Sequence, residues 1–146
     1  MHSFARFDRQ PRGFTLLELL VVMVILGLLV GYVAPKYFSQ VGKSETKTAR
    51  AQIESLEKAL DIYRLDTGHY PPTEVGLKAL NTRPDNEPKW NGPYMKKDVP
   101  MDPWGRPYIY KFPGQHGPYD LYSLGADGAE GGEGENQDIT NWQTSP

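Results

Sequence analysis

From Phe14 to Val33 the chain reads FTLLELLVVMVILGLLVGYV, apolar throughout except for Thr15 and Glu18. As a helix, at about 1.5 Å per residue, this run spans roughly 30 Å, the thickness of a bilayer's hydrocarbon core. The segment before it carries Arg6, Arg9 and Arg12 against the single acid Asp8. The positive-inside rule therefore puts that end in the cytoplasm and the bulk of the chain across the membrane. A secretory signal would end its apolar region at a small-residue cleavage site. Here Ala34-Pro35-Lys36 runs on into another helical pattern, so the apolar segment is expected to be retained.

Glu18 is the discordant residue, because a carboxylate in an apolar helix is unfavourable by about 2.5–3.5 kcal/mol at a bilayer centre. A cut between Gly13 and Phe14 would create an α-amino group one helical turn before Glu18. That group could compensate the carboxylate within one subunit or between neighbours. The alternative is a carboxylate tolerated at the membrane interface. The string Gly13-Phe14-Thr15-Leu16-Leu17-Glu18 followed by an apolar run resembles the processing site of type IV pilins and type II secretion pseudopilins. The resemblance implies that a prepilin peptidase cuts after Gly13 and methylates the new N-terminus, Phe14. It also implies that Glu18 sets register during assembly.

Beyond the apolar run, Ala49, Ile53, Leu56, Leu60 and Tyr63 recur at spacings of three and four, with Lys47, Arg50, Glu54, Glu57, Lys58 and Asp61 between them. This is the pattern of an amphipathic helix with one face on a globular domain. It is predicted over about Lys43 to Asp66, stopping at Gly68 before Tyr70-Pro71-Pro72. Gly27, Gly31, Pro35 and Gly42 interrupt the join between the two patterns and permit a kink or local unwinding. A mildly bent continuous helix is the other reading. Melting around Gly31–Gly42 on assembly is what the resemblance to pilin fibres implies. The expected organisation is a basic leader over 1–13, a transmembrane and assembly helix over 14–35, an amphipathic helix over 36–67 and a loop and sheet region over 68–146.

Glycine and proline fall almost entirely after Thr67, which marks an irregular, turn-rich second half. Thr73 to Leu80 is expected to form a short helix turning Leu77 and Leu80 inward, followed by a polar, solvent-exposed loop over 81–88. Tyr108 to Phe112 and Tyr119 to Leu124 are expected strands, rich in aromatic and β-branched residues and joined through Gly114–Pro118. The fold class is α+β, a long N-terminal helix packed on a small antiparallel sheet.

The stretches Asp102-Pro103-Trp104-Gly105-Arg106-Pro107-Tyr108, Tyr119 to Gly128 and Asp138-Ile139-Thr140-Asn141-Trp142 resemble the major pseudopilin of type II secretion. The cysteine-free C-terminus departs from typical type IV pilins, which close that region with a disulfide. From Gly125 to Asn141 the chain carries Asp127, Glu130, Glu133, Glu135 and Asp138 among glycines, with no basic residue. Like charges in such a loop repel unless solvent or a cation screens them, and the spacing is not that of an EF-hand. Composition alone leaves a solvated acidic loop open. The resemblance implies calcium, with carboxylate ligands at Asp127 and Asp138 and oxygens from Ser123 and the backbone of Leu124. It leaves the parts of Glu130, Glu133 and Glu135 undecided.

The resemblance further implies a homopolymeric pseudopilus, with minor pseudopilins, the prepilin peptidase and an inner-membrane assembly platform as partners. The globular part would lie in the periplasm, and the fibre would drive protein export. The alternative is an adhesive or DNA-uptake pilin of the same architecture. A formal net charge of −2 and a pI near 5.9 supply no basic stripe for nucleic acid. Without cysteine, stability must come from packing or a bound ion. The histidines, His2, His69 and His116, are isolated in the sequence, and no nucleophile or zinc spacing stands out, so catalysis is not expected. The glycines of 125–134 sit among carboxylates that would repel phosphate.

Overall fold

The structure, a computed structural model, describes residues 12–143; the rest of the predicted leader, residues 1–11, lies outside the described residues. Arg12 to Thr15 precede a single helix, α1, over Leu16–Thr67. Pro35 lies within α1. It lacks an N–H and so removes one i→i−4 bond, but the helix runs through it, as in the continuous reading. The chain divides into two compact units between Ser39 and Gln40.

In the first unit α1 is exposed almost all round, with Leu16, Leu17, Met23, Leu28 and Val30 among its bare apolar side chains. It is long and apolar enough to cross a membrane. A helix hydrophobic on every side needs lipid or other helices around it.

In the second unit α1 buries one stripe: Ala49, Ile53, Leu56, Ala59, Leu60, Tyr63 and Thr67. These spacings return to one face of a 3.6-residue helix. Gly68, at φ +88°, ends the helix and donates its N–H to Arg64 O at 2.8 Å. The left-handed conformation is one that glycine adopts without a Cβ penalty.

The sheet that faces this core has three antiparallel strands in the order β1 (Ile109–Lys111), β2 (Asp120–Ser123), β3 (Ile139–Thr140). Ile109 pairs with Tyr122 and Lys111 with Asp120; on the other side Tyr122 pairs with Thr140 and Ser123 with Ile139. Tyr108, Tyr110, Tyr119, Leu121 and Ile139 complete the core with Leu77, Ala79 and Leu80. Two of the buried tyrosines pair their hydroxyls across the core: Tyr110 donates to Pro71 O at 2.8 Å, and Tyr108 donates to Gln52 Oε1 on α1. Burial pushes the Tyr108, Tyr110 and Tyr119 phenols well above their ordinary pKa and that of Tyr63 up to about 12.

Three expectations are corrected. The short helix expected over Thr73–Leu80 is a 3-10 helix confined to Gly76–Leu80. Val75 and Gly76 both donate to Pro72 O, and Gly76 at φ +62° breaks any α-helical run, although Leu77 and Leu80 are buried as expected. The loop over 81–88 is not uniformly exposed, because Glu87 is buried, its carboxylate 2.7 Å from His69 Nε2. His69 and His116 are not isolated in space, while His2 lies outside the described residues: His116 Nδ1 lies 3.1 Å from the buried Asp120 carboxylate, just as His69 meets Glu87. The strand β3 was not expected from its two residues.

Candidate functional site

At the N-terminal end, Gly13 lies before the helix with none of the described residues within 4 Å of where a Cβ would sit, and Phe14 is exposed. Thr15 and Glu18 form a reciprocal pair. Glu18 N–H donates to Thr15 Oγ1 at 3.1 Å, and Thr15 N–H donates to Glu18 Oε2 at 3.3 Å. This is a capping box, which satisfies two backbone donors that the first turn of a helix leaves free. In this unprocessed arrangement the Glu18 carboxylate is therefore bonded locally. The signal was present in the sequence as Thr-x-x-Glu ahead of an apolar run.

The C-terminal loop is closed at a neck. Gly125, at φ +67°, passes so close to the returning chain that a Cβ there would lie 2.7 Å from Gln137 O. Next to it, Ala126 N–H donates to Glu135 O at 2.9 Å. Inside the neck, Asp127 Oδ1 accepts the Ala129 N–H at 3.1 Å and Asp138 Oδ2 accepts the Gly131 N–H at 3.0 Å. The first is an Asx-type turn and the second ties the loop's return to its tip, over a path that the five positive-φ glycines between Gly125 and Gly134 make possible.

The carboxylates assigned from the resemblance separate into different roles. Asp138 Oδ1 is buried and has no hydrogen-bond partner, an orphaned acceptor of the kind a cation or water satisfies. Ser123 Oγ is instead committed: it donates to Asp102 Oδ2 at 2.6 Å and accepts the Gly125 N–H at 3.3 Å. The Ser123 hydroxyl is thus engaged with Asp102 and Gly125, which leaves its backbone carbonyl as the oxygen it could offer a cation. Leu124 lies between these anchored positions, half-buried. Glu135 leans on α1, its carboxylate over the backbone of the buried Gly42, where a Cβ would overlap it. Glu133 is exposed, and Glu130 lines a small cleft with Lys111, His116, Asp138 and Trp142. Among the described residues no three acidic or histidine side chains converge as a metal-ligand group. The oxygen donors this loop could offer a hard cation are the Asp127 and Asp138 carboxylates and backbone carbonyls, of which Asp138 Oδ1 is buried and unpaired.

The histidines serve packing. His116 stacks face to face on Trp142, centroids 4.0 Å apart and planes within 4°. Burial of Asp120 opposes its ionisation, but the Gln115 and His116 N–H groups and the His116 imidazole outweigh that, holding its carboxyl below the usual range. Sequence reasoning missed this cluster because Trp142, beyond β3, meets His116, in the turn between β1 and β2, only in the folded chain.

Comparison with known proteins agrees with both ends of this description. Residues 36–142 match the family model described as type II secretion system (T2SS), protein G, and residues 8–34 match the prokaryotic N-terminal methylation motif. The chain is 47% identical over 137 residues to the type II secretion system core protein G of Pseudomonas aeruginosa, covering 92% of this chain and 96% of that one. It is 48% identical over 137 residues to the core protein G of Vibrio cholerae, covering 92% and 93% respectively. Among solved structures, the major pseudopilin of the type 2 secretion system of enterohaemorrhagic Escherichia coli matches with a TM-score of 0.59 and 36% identity, over 72% of this chain and 92% of that chain. A bare apolar helix behind a methylation motif, continuous with a helix-on-sheet domain that these relatives share, assigns the chain to the type II secretion system protein G family.

Proposed function

We propose that this chain is the major structural subunit of the type II secretion pseudopilus, acting by polymerisation rather than by catalysis. The observation that carries the reading is the first unit's helix, apolar and exposed on every side, starting just after the exposed residues Gly13 and Phe14. Lipid covers such a surface before assembly, and the helices of neighbouring copies cover it afterwards. The prepilin peptidase cuts after Gly13 and methylates Phe14; the inner-membrane platform then extracts the subunit, and minor pseudopilins share the fibre. Processing frees the Phe14 amino group to pair with Glu18 of a neighbour, in place of the local bond to Thr15. The globular part lies on the periplasmic side. An adhesive or DNA-uptake pilin of similar build is disfavoured by the protein G match over residues 36–142.

Co-expression with a prepilin peptidase and an assembly platform tests this reading. The expected result is fibres whose subunits begin at methylated Phe14 by mass spectrometry; processed subunits that never leave the membrane would overturn it.

Calcium is the cofactor we assign to the C-terminal loop. Asp127 and Asp138 supply carboxylate oxygens and the backbone near Leu124 supplies carbonyls, with the unpaired Asp138 Oδ1 as the supporting observation. The ion supplies charge neutralisation and folding free energy to the loop when bound.

A further inference from the structure

The turn Asp102 to Tyr108 takes no part in the function described so far, yet its side chains reach into the C-terminal loop. Asp102 is 4% exposed and its carboxylate is fully engaged. Oδ1 accepts the N–H groups of Trp104 at 3.1 Å and Arg106 at 2.8 Å, and Oδ2 accepts the Ser123 hydroxyl at 2.6 Å. Ser123 Oγ in turn accepts the Gly125 N–H, so one buried carboxylate fixes both its own turn and the start of the loop.

Arg106 makes the second connection. Its Nη2 donates to Gly125 O, and its guanidinium covers Gly128, where a Cβ would lie 3.0 Å from Cζ. Gly125 is thereby held at its N–H through Ser123 and at its carbonyl by Arg106. Four buried side-chain polar atoms lack a partner among the described residues, and three of them belong to this turn and loop: Trp104 Nε1, Arg106 Nε and Asp138 Oδ1. Asp138 Oδ1 is an acceptor that a cation can meet, whereas the Trp104 and Arg106 N–H groups are donors that an acceptor such as water would meet.

We propose that Asp102 and Arg106 are positioning residues of the C-terminal loop, holding Gly125 and Gly128 so that the loop's backbone and carboxylate oxygens are presented together to a cation. Neither residue touches the ion. The part of this inference that concerns affinity rests on the calcium reading above; the part that concerns loop order does not. Arginine is suited to the task because its planar fork directs a donor at Gly125 O while its face lies on Gly128, a geometry that lysine cannot reproduce.

The test uses the full chain in detergent, with two readouts. Hydrogen exchange of the Gly125 to Gly128 amides without calcium reads loop order, and calorimetric titration with calcium chloride reads affinity. Arg106→Ala is expected to speed exchange of these amides at least tenfold and to weaken calcium binding at least tenfold, with exchange across Leu56–Tyr63 unchanged. Arg106→Lys is expected to recover less than half of either effect, and Ser123→Ala to reproduce the exchange effect. Unchanged exchange in Arg106→Ala, or full rescue by lysine, overturns the inference. Altered exchange in a chain whose wild type takes no calcium upholds the positioning role and removes the calcium reading instead.

Discussion

Thr15 and Glu18 cap one another, each backbone N–H bonded to the other's side-chain oxygen. Among the described residues Glu18 is thus satisfied locally, and on the processing proposed at Phe14 the same carboxylate would become available to an α-amino group.

The two roles separate by mutation. Thr15→Ala removes the hydroxyl of the box and should fray the first turn, at a local cost of about 0.5–2 kcal/mol, while fibres still form. Glu18→Ala should abolish assembly and leave the melting of the globular unit unchanged. Electron microscopy of sheared fibres checks both, and normal fibres from Glu18→Ala would refute the pairing.

Loss of calcium should act through the loop. The proposed site predicts that millimolar calcium raises the melting temperature of the wild type and that Asp127→Ala or Asp138→Ala erases most of that rise. The calcium contribution grows with the logarithm of ion concentration over the dissociation constant. Identical melts of wild type with calcium and with EGTA would count against the site.

Gly125→Ala should be among the most damaging single changes in the loop. The new methyl would meet the Gln137 carbonyl at a backbone angle that alanine rarely adopts. Both effects destabilise, by about 1 kcal/mol or more together. Faster proteolysis between Gly125 and Gln137 would report it, whereas Gly131→Ala meets no neighbour within 4 Å and should cost only the strain of its positive φ.

Two pH limits follow from the buried groups. The tyrosines of the core have folded pKa values raised above the unfolded value near 10, so the stability they contribute is full below about pH 10 and falls as pH rises toward the folded values. Asp120 is shifted downward, so its contribution is present above about pH 4 and lost as pH falls through its folded value. Denaturant melts across pH should show both edges. Asp120→Ala, which strands the Gln115 and His116 N–H groups, should remove the acid edge and cost about 1–3 kcal/mol at neutral pH.

What could be read in the sequence was what depends on periodicity and local chemistry. The buried face Ala49, Ile53, Leu56, Leu60 and Tyr63 follows from spacing alone, and Gly68 marks the helix end because few other residues tolerate its φ. The strands were placed within a residue or two, since Tyr108 and Phe112 carry strand composition but lie just outside the ladder. Long-range partners were not legible. Nothing near Ser123 in the sequence announces that Asp102, 21 residues earlier, claims its hydroxyl, and nothing near His69 announces Glu87. The two-residue strand β3 carries too few side chains to show alternation.

The brevity of the strands also bears on how this protein avoids the wrong polymer. Ladders of three, four and two residues, with Lys111 at one end of the outer strand, offer a passing chain almost no template for edge-to-edge pairing. A subunit that must stand crowded beside its own copies thus confines self-recognition to the helix, and amyloid-like stacking has no seam from which to start.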